Sequence, residues 1–187
     1  MLIPLVPGDL APGSPVLAEL AQLYAGNAAF HRLSGEFGPD PETVSPAEVA
    51  GALSGELAMP GVEVLLVRVS HPEAAPDAAT EQGGAVEDGG EPLAGVVALL
   101  DTHPVDGFPW IGLLMVDARR QGRGLGRDVA EEVHERLRRA GRPGVRLAVL
   151  VNNPAALAFW SRLDYTEIDR RPDLQAGRDC VVMHRDL

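Results

Sequence analysis

Leu113-Leu-Met-Val-Asp-Ala-Arg-Arg-Gln-Gly-Arg-Gly-Leu-Gly-Arg127 joins an apolar run, a short polar turn, three glycines at alternate positions and the start of an amphipathic stretch. The apolar run predicts a buried strand ending near Val116, and Leu125, Val129, Val133 and Leu137 predict a helix over 124–140. Gly141 and Pro143 stop that helix. Between strand and helix, glycine allows positive φ and lets a ligand approach backbone without a Cβ in the way. Amides of residues 122–126 can then converge on one concave site at the helix N-terminus. An anion there gains from unpaired N–H groups and the helix dipole, roughly 0.3–1 kcal/mol and at most about 2. Arg119, Arg120, Arg123 and Arg127 add charge around the same mouth. Two phosphate loops are excluded. A Walker A loop requires Gly-Lys-Ser/Thr, and the chain has no lysine. A dinucleotide loop would require glycine at Arg127 or at Val129, depending on register.

Upstream, Leu2–Val6 predicts a strand, and Ser14-Pro15 opens a helix carrying Leu17, Leu20, Leu23 and Tyr24. The polar stretch His31–Thr43 separates it from a second helix, opened by the capping box Ser45-Pro-Ala-Glu48 and followed by Val49, Leu53 and Leu57. Val62–Val69, Leu93–Leu100 and Trp110–Val116 predict three buried strands. Residues 71–92 carry six acids and no arginine, with little apolar content, and are expected to form a mobile acidic insertion in a hairpin. Downstream follow a strand at Val145–Val151, a short helix at Pro154–Leu163, and strands at Tyr165–Ile168 and Cys180–His184. This order predicts a single α/β domain over 1–187, with a mixed sheet and helices on both faces.

Gln121-Gly-Arg-Gly-Leu-Gly126 matches in full the Arg/Gln-x-x-Gly-x-Gly/Ala signature that cradles the acyl-CoA pyrophosphate. Asn153-Pro-Ala-Ala156-Leu-Ala-Phe-Trp160-Ser-Arg-Leu-Asp164-Tyr165 follows the pattern Asn-x-x-Ala-x-x-x-Tyr-x-x-x-Gly-Phe. On these two motifs the chain resembles the GNAT superfamily of acyl-CoA-dependent N-acetyltransferases, closely over about residues 93–170. The resemblance implies a GNAT-like central mixed sheet, splayed beside the strand at 110–116. It implies acetyl-CoA as acyl donor and an amine, small-molecule or peptide, as acceptor. Backbone groups of Met115 and Val116 would meet the pantetheine arm. Gln121, Gly122, Arg123, Gly124, Leu125 and Gly126 would hold the pyrophosphate, and Asn153 would face the coenzyme.

The match departs from the family at two motif positions. Trp160 stands at the position of a tyrosine that protonates the departing thiolate, and an indole N–H is no proton source at neutral pH. Asp164 replaces a glycine. Some relatives carry a glutamate base six residues before the position of Val116, where this chain has Trp110. Asp101 and His103, with Asp106, cluster before Trp110 and are the candidate bases, though Asp and His-Pro also suit a plain turn. His31 and Glu36 lie between the first two predicted helices, where relatives often build the acceptor pocket. His134, among Glu131, Glu132 and Glu135, is expected on the exposed face of its helix. Cys180 is expected in the core. A CoA-binding sensor or interaction module that no longer catalyses is the alternative reading, favoured by Trp110 and Trp160.

The formal charge of -11 argues against general nucleic-acid binding. All sixteen cations are arginines, and nine of them fall between Arg119 and Arg146. No run approaches a membrane span, and the start of the chain makes a poor secretory signal. One cysteine permits no internal disulfide, so a cytoplasmic setting is expected. No His, Cys, Asp and Glu group has metal-ligand spacing. A homodimer is compatible with this reading.

Overall fold

A computed structural model describes residues 1–69, 91–173 and 176–187. Apart from Glu91 and Pro92, the expected acidic insertion at 71–92 lies outside the described residues.

The strands are β1 (Leu2–Pro4), β2 (Val62–Arg68), β3 (Leu93–Leu100), β4 (Trp110–Val116), β5 (Gly144–Leu150), β6 (Thr166–Pro172) and β7 (Asp179–Asp186). The helices are α1 (Pro15–Gly26), α2 (Ala28–Ser34), α3 (Pro46–Ala58), α4 (Leu125–Arg139) and α5 (Pro154–Ser161). The strands form one mixed sheet in the order β1-β2-β3-β4-β5-β7-β6. Every pairing is antiparallel except β4 with β5. That exception follows from α4, the crossover between them.

Helices cover both faces, so the central strands lose the alternation of a half-solvated sheet. β3 is buried from Leu93 to Leu99. On one face, Val129, Ala130, Val133 and Leu137 of α4 and Trp160 of α5 pack on Val97, Ile111, Leu147 and Met183. On the other, Leu17, Leu20 and Tyr24 of α1 and Val49 and Leu53 of α3 pack on Val64, Leu66, Val96 and Met115. The α3 capping box forms as expected: the Glu48 N–H donates to Ser45 Oγ at 3.3 Å and the Ser45 N–H to Glu48 Oε2 at 2.8 Å.

The feature that positions the site is the opening between β4 and β5. They pair only at Trp110 with Arg146 and Ile111 with Leu147, although both strands continue. On its other edge β4 carries an extra residue, Gly112, because Ala98 faces Leu113 while Leu99 faces Ile111. Such a bulge bends its strand, and here it falls where β4 leaves β5.

Three local expectations are corrected. The stretch from His31 is not simply polar connection: α2 occupies 28–34 before Gly35 closes it at φ 74°. Ala28 and His31 continue the buried stripe of Leu20 and Tyr24 across a break at Asn27. His134 is not on the exposed face but fully buried. Ala130 and His134 lie beside Val129, Val133 and Leu137 on the same face, which a count in steps of four overlooks. β6 runs to Pro172 and every residue of it is exposed, so no apolar alternation announced its length.

Candidate active site

β4 delivers the chain to the open end of the splay, where Asp117 turns it. Its carboxylate accepts from the Arg119 N–H at 2.9 Å and from the Arg119 guanidinium at 2.7 and 3.1 Å. That guanidinium is the chief cause holding the Asp117 carboxyl below its ordinary range, with burial opposing it. Gly122 and Gly124 then take φ of 72° and 90°, the left-handed region that L side chains rarely adopt. A Cβ on either would meet nothing within 4 Å, so the backbone faces open space there. Gly126 differs, since a Cβ would touch the Phe159 ring at 3.5 Å. Its smallness lets α4 approach α5.

The N–H groups of Gly122, Arg123, Gly124, Leu125 and Gly126 donate to no acceptor among the described residues. They surround the N-terminus of a fifteen-residue helix. Arg120, Arg123 and Arg127 have no carboxylate partner among the described residues, in a chain of net charge -11. Unpaired amides, a dipole and nearby guanidiniums suit a pyrophosphate. The loop therefore fits the group that its sequence implies.

Backbone alternation divides β4. The Asp117 N–H donates to Ala94 of β3, and a Cβ on Gly95 would stand 2.5 Å from the Met115 carbonyl. Met115 thus directs its backbone to β3, and its side chain joins the α1–α3 core. The period of two leaves Leu114 and Val116 to direct theirs into the splay. Of the two residues expected to meet the pantetheine arm, Val116 faces the opening and Met115 does not. Leu114 was missed, and counting alternation from a known partner is the signal that finds it.

Gln121 is occupied by the protein. Its amide donates to Asn27 Oδ1 at 3.0 Å and to the Val116 carbonyl at 3.1 Å. Asn153 lies three residues past β5 across the opening, where its side chain caps α5 by accepting from the Ala156 N–H at 3.1 Å. Trp160 is buried against Phe159 and Tyr165, with ring centroids at 4.9 and 5.0 Å. Asp164 takes φ 61°, which explains why glycine suits that position and why aspartate is tolerated.

Asp101 and His103 lie at the opposite end of β4, about 20 Å from the glycine loop at 3.3 Å per strand residue. Asp101 is exposed and pairs with Arg142, which holds its carboxyl below the usual range. His103 stacks on Trp110 at 4.5 Å and its Nδ1 accepts from the Val105 N–H at 3.3 Å. Asp106 accepts from Phe108, Trp110 and Arg146, which outweigh burial and keep it ionised. His31 is fully buried, stacked on Tyr24, with Nδ1 3.7 Å from Glu36. His31, ahead of Arg178, holds the Glu36 carboxyl low against the effect of burial.

The Acetyltransferase (GNAT) family model matches residues 67–165. The chain belongs to the GNAT acetyltransferase family. Its fold is similar to that of an acetyltransferase from Thermus thermophilus, at TM-score 0.70 and 21% identity, covering 100% of this chain and 96% of that one. It is also similar to a spermidine N-acetyltransferase from Vibrio cholerae in complex with CoA and spermine, at TM-score 0.64 and 15% identity, covering 100% and 94%. A ribosomal L7/L12 alpha-N-protein acetyltransferase in complex with coenzyme A matches at TM-score 0.67 and 16% identity, covering 100% and 93%. Among the described residues no helix is long and apolar enough to cross a membrane.

Proposed function

We propose that this chain transfers an acetyl group from acetyl-CoA to the nitrogen of an amine, in the cytoplasm. The observation that carries the reading is the loop at 122–126, whose amides have no acceptor among the described residues and which stands with Arg120, Arg123 and Arg127 at the mouth of the β4–β5 opening. Acetyl-CoA supplies the activated thioester when bound. Gly122 to Gly126 would hold its pyrophosphate, and the splay-facing backbone of Leu114 and the N–H of Val116 its pantetheine arm, the Val116 carbonyl being taken by Gln121. Asn153 would flank the arm from the end of β5.

A neutral amine would attack the thioester carbonyl, and a splay-facing N–H of Leu114 or Val116 would stabilise the oxyanion. Holding both reactants in one cleft supplies acceleration through proximity. The proton leaves by solvent or by a base of the Asp101–His103 turn, at the closed end of the opening. Small polyamine-like amines and peptide N-termini are the acceptor classes to test first, since similar folds act on spermidine and on a ribosomal protein's alpha-amine. Calorimetry with CoA and acetyl-CoA, followed by thiol detection across an amine panel, tests both halves. Absence of CoA binding would refute the reading.

Trp160 favours a second reading, a CoA-binding module without turnover, because no hydroxyl stands at the family's tyrosine position. Tight acetyl-CoA binding with no thiol release from any amine of the panel would select it.

A further inference from the structure

Asn27 ends α1 and begins α2 at once. Its own backbone is not helical, with φ −101° and ψ 27°. Its N–H donates to Tyr24 of α1, and its carbonyl accepts from Phe30 and His31 of α2. The side chain is buried, with Nδ2 donating to the Leu23 carbonyl at 2.8 Å and Oδ1 accepting from Gln121. The amide orientations are forced, because Leu23 and Val116 present carbonyls that only accept.

The far end of α2 is held by the other half of the sheet. The Leu33 carbonyl accepts from Asn152, just past β5, at 3.3 Å. The Ser34 carbonyl accepts from Arg178, which Asp173 fixes at 2.6 Å. α2 therefore bridges the opening, tied to the glycine loop at one end and to the β5 and β7 side at the other. β4 and β5 themselves pair at only two positions.

We infer that Gln121 is a positioning residue, whose bond to Asn27 couples the donor loop to α2. A donor held on the loop fixes Gln121, Gln121 fixes the α1–α2 joint, and the joint sets the bridge over the cleft. By linkage the same contact carries order from α2 back to the loop. The inference rests on the loop being the CoA site.

The test is hydrogen exchange of the α2 amides, residues 28–35, in the full chain with and without saturating CoA. Affinity is measured in parallel by calorimetry. In the wild type CoA should slow exchange by about 5-fold or more, the low end of allosteric coupling. In Asn27→Leu, which removes the acceptor, the slowing should fall below about 2-fold at full occupancy. Should the leucine variant not fold, Gln121→Met at saturating CoA breaks the same bond from the other side. Wild-type protein that binds CoA with unchanged α2 exchange overturns the coupling alone. Equal slowing in the bond-breaking variant overturns it too, as does a loss of CoA affinity in Asn27→Leu larger than the slowing factor measured in the wild type, since reciprocity allows the coupling no larger loss. Failure of the wild type to bind CoA overturns the donor site as well.

Discussion

His134 offers a perturbation whose size can be worked out before measurement. It is fully buried, its Nδ1 accepts from Arg185 at 2.8 Å, and its Nε2 meets the Tyr165 hydroxyl at 2.8 Å. Burial first, then the Arg185 charge, lowers its pKa from 6.5 to about 4, against the opposing pull of Glu131. The folded protein keeps the ring neutral while the unfolded chain takes up a proton below 6.5. The contribution is therefore complete above the unfolded pKa and fades as pH falls toward 4. Between pH 8 and pH 5 the loss is about 2 kcal/mol. Other groups titrate in that range, so the readout is a difference between wild type and His134→Gln, which cannot titrate. Urea unfolding at 25 °C, followed by circular dichroism at pH 8, 7, 6 and 5, supplies both curves. The stability advantage of the wild type over the variant should shrink by about 2 kcal/mol on acidification. A constant advantage would refute the argument, and a growing one would mean that the folded state charges this ring.

Gly124→Glu should lower CoA affinity at least about 100-fold in calorimetry, because it places a carboxylate in the open space facing the loop; unchanged affinity would sink the assigned site. Asp164→Gly should raise the melting temperature by two to four degrees, roughly 1 kcal/mol, by relieving the left-handed backbone at φ 61°. Trp160→Phe should lower the melting temperature through lost packing on Phe159 and Tyr165 yet leave thiol release measurable. Complete loss of turnover with normal acetyl-CoA binding would give the indole N–H a catalytic role.

What the sequence made legible is what local chemistry determines. The glycine loop, the helix behind it and the strand before it are encoded within the thirty consecutive residues 110–139. Their positive φ angles and unpaired amides follow from glycine placed after an apolar run. The helix cap at Ser45 is equally local. The bridge is not, because it depends on Gln121 meeting a residue 94 positions away. Arg178 reaches back 144 positions to Ser34. A polar side chain gives the same signal on a surface as in such a contact, so His134, Asn27 and His31 could not be told from solvated residues. Which β4 carbonyls face the opening required the register against β3, a property of two strands together.

The absent tyrosine hydroxyl bears on the reaction less than its place in the family motif suggests. The nearest phenol in the chain, Tyr165, cannot replace it, since burial raises its pKa and its oxygen is bound to His134. The leaving group, however, is a thiolate. A thiol loses its proton near pH 8.5, so a thiolate departs at neutral pH with far less help than an alkoxide or an amide nitrogen would require. The heavier demand falls on the amine, which must arrive neutral and lose a proton after attack. In the proposed reaction the step sensitive to pH is therefore acceptor deprotonation, and an indole at position 160 is compatible with turnover because the reaction asks little of an acid there.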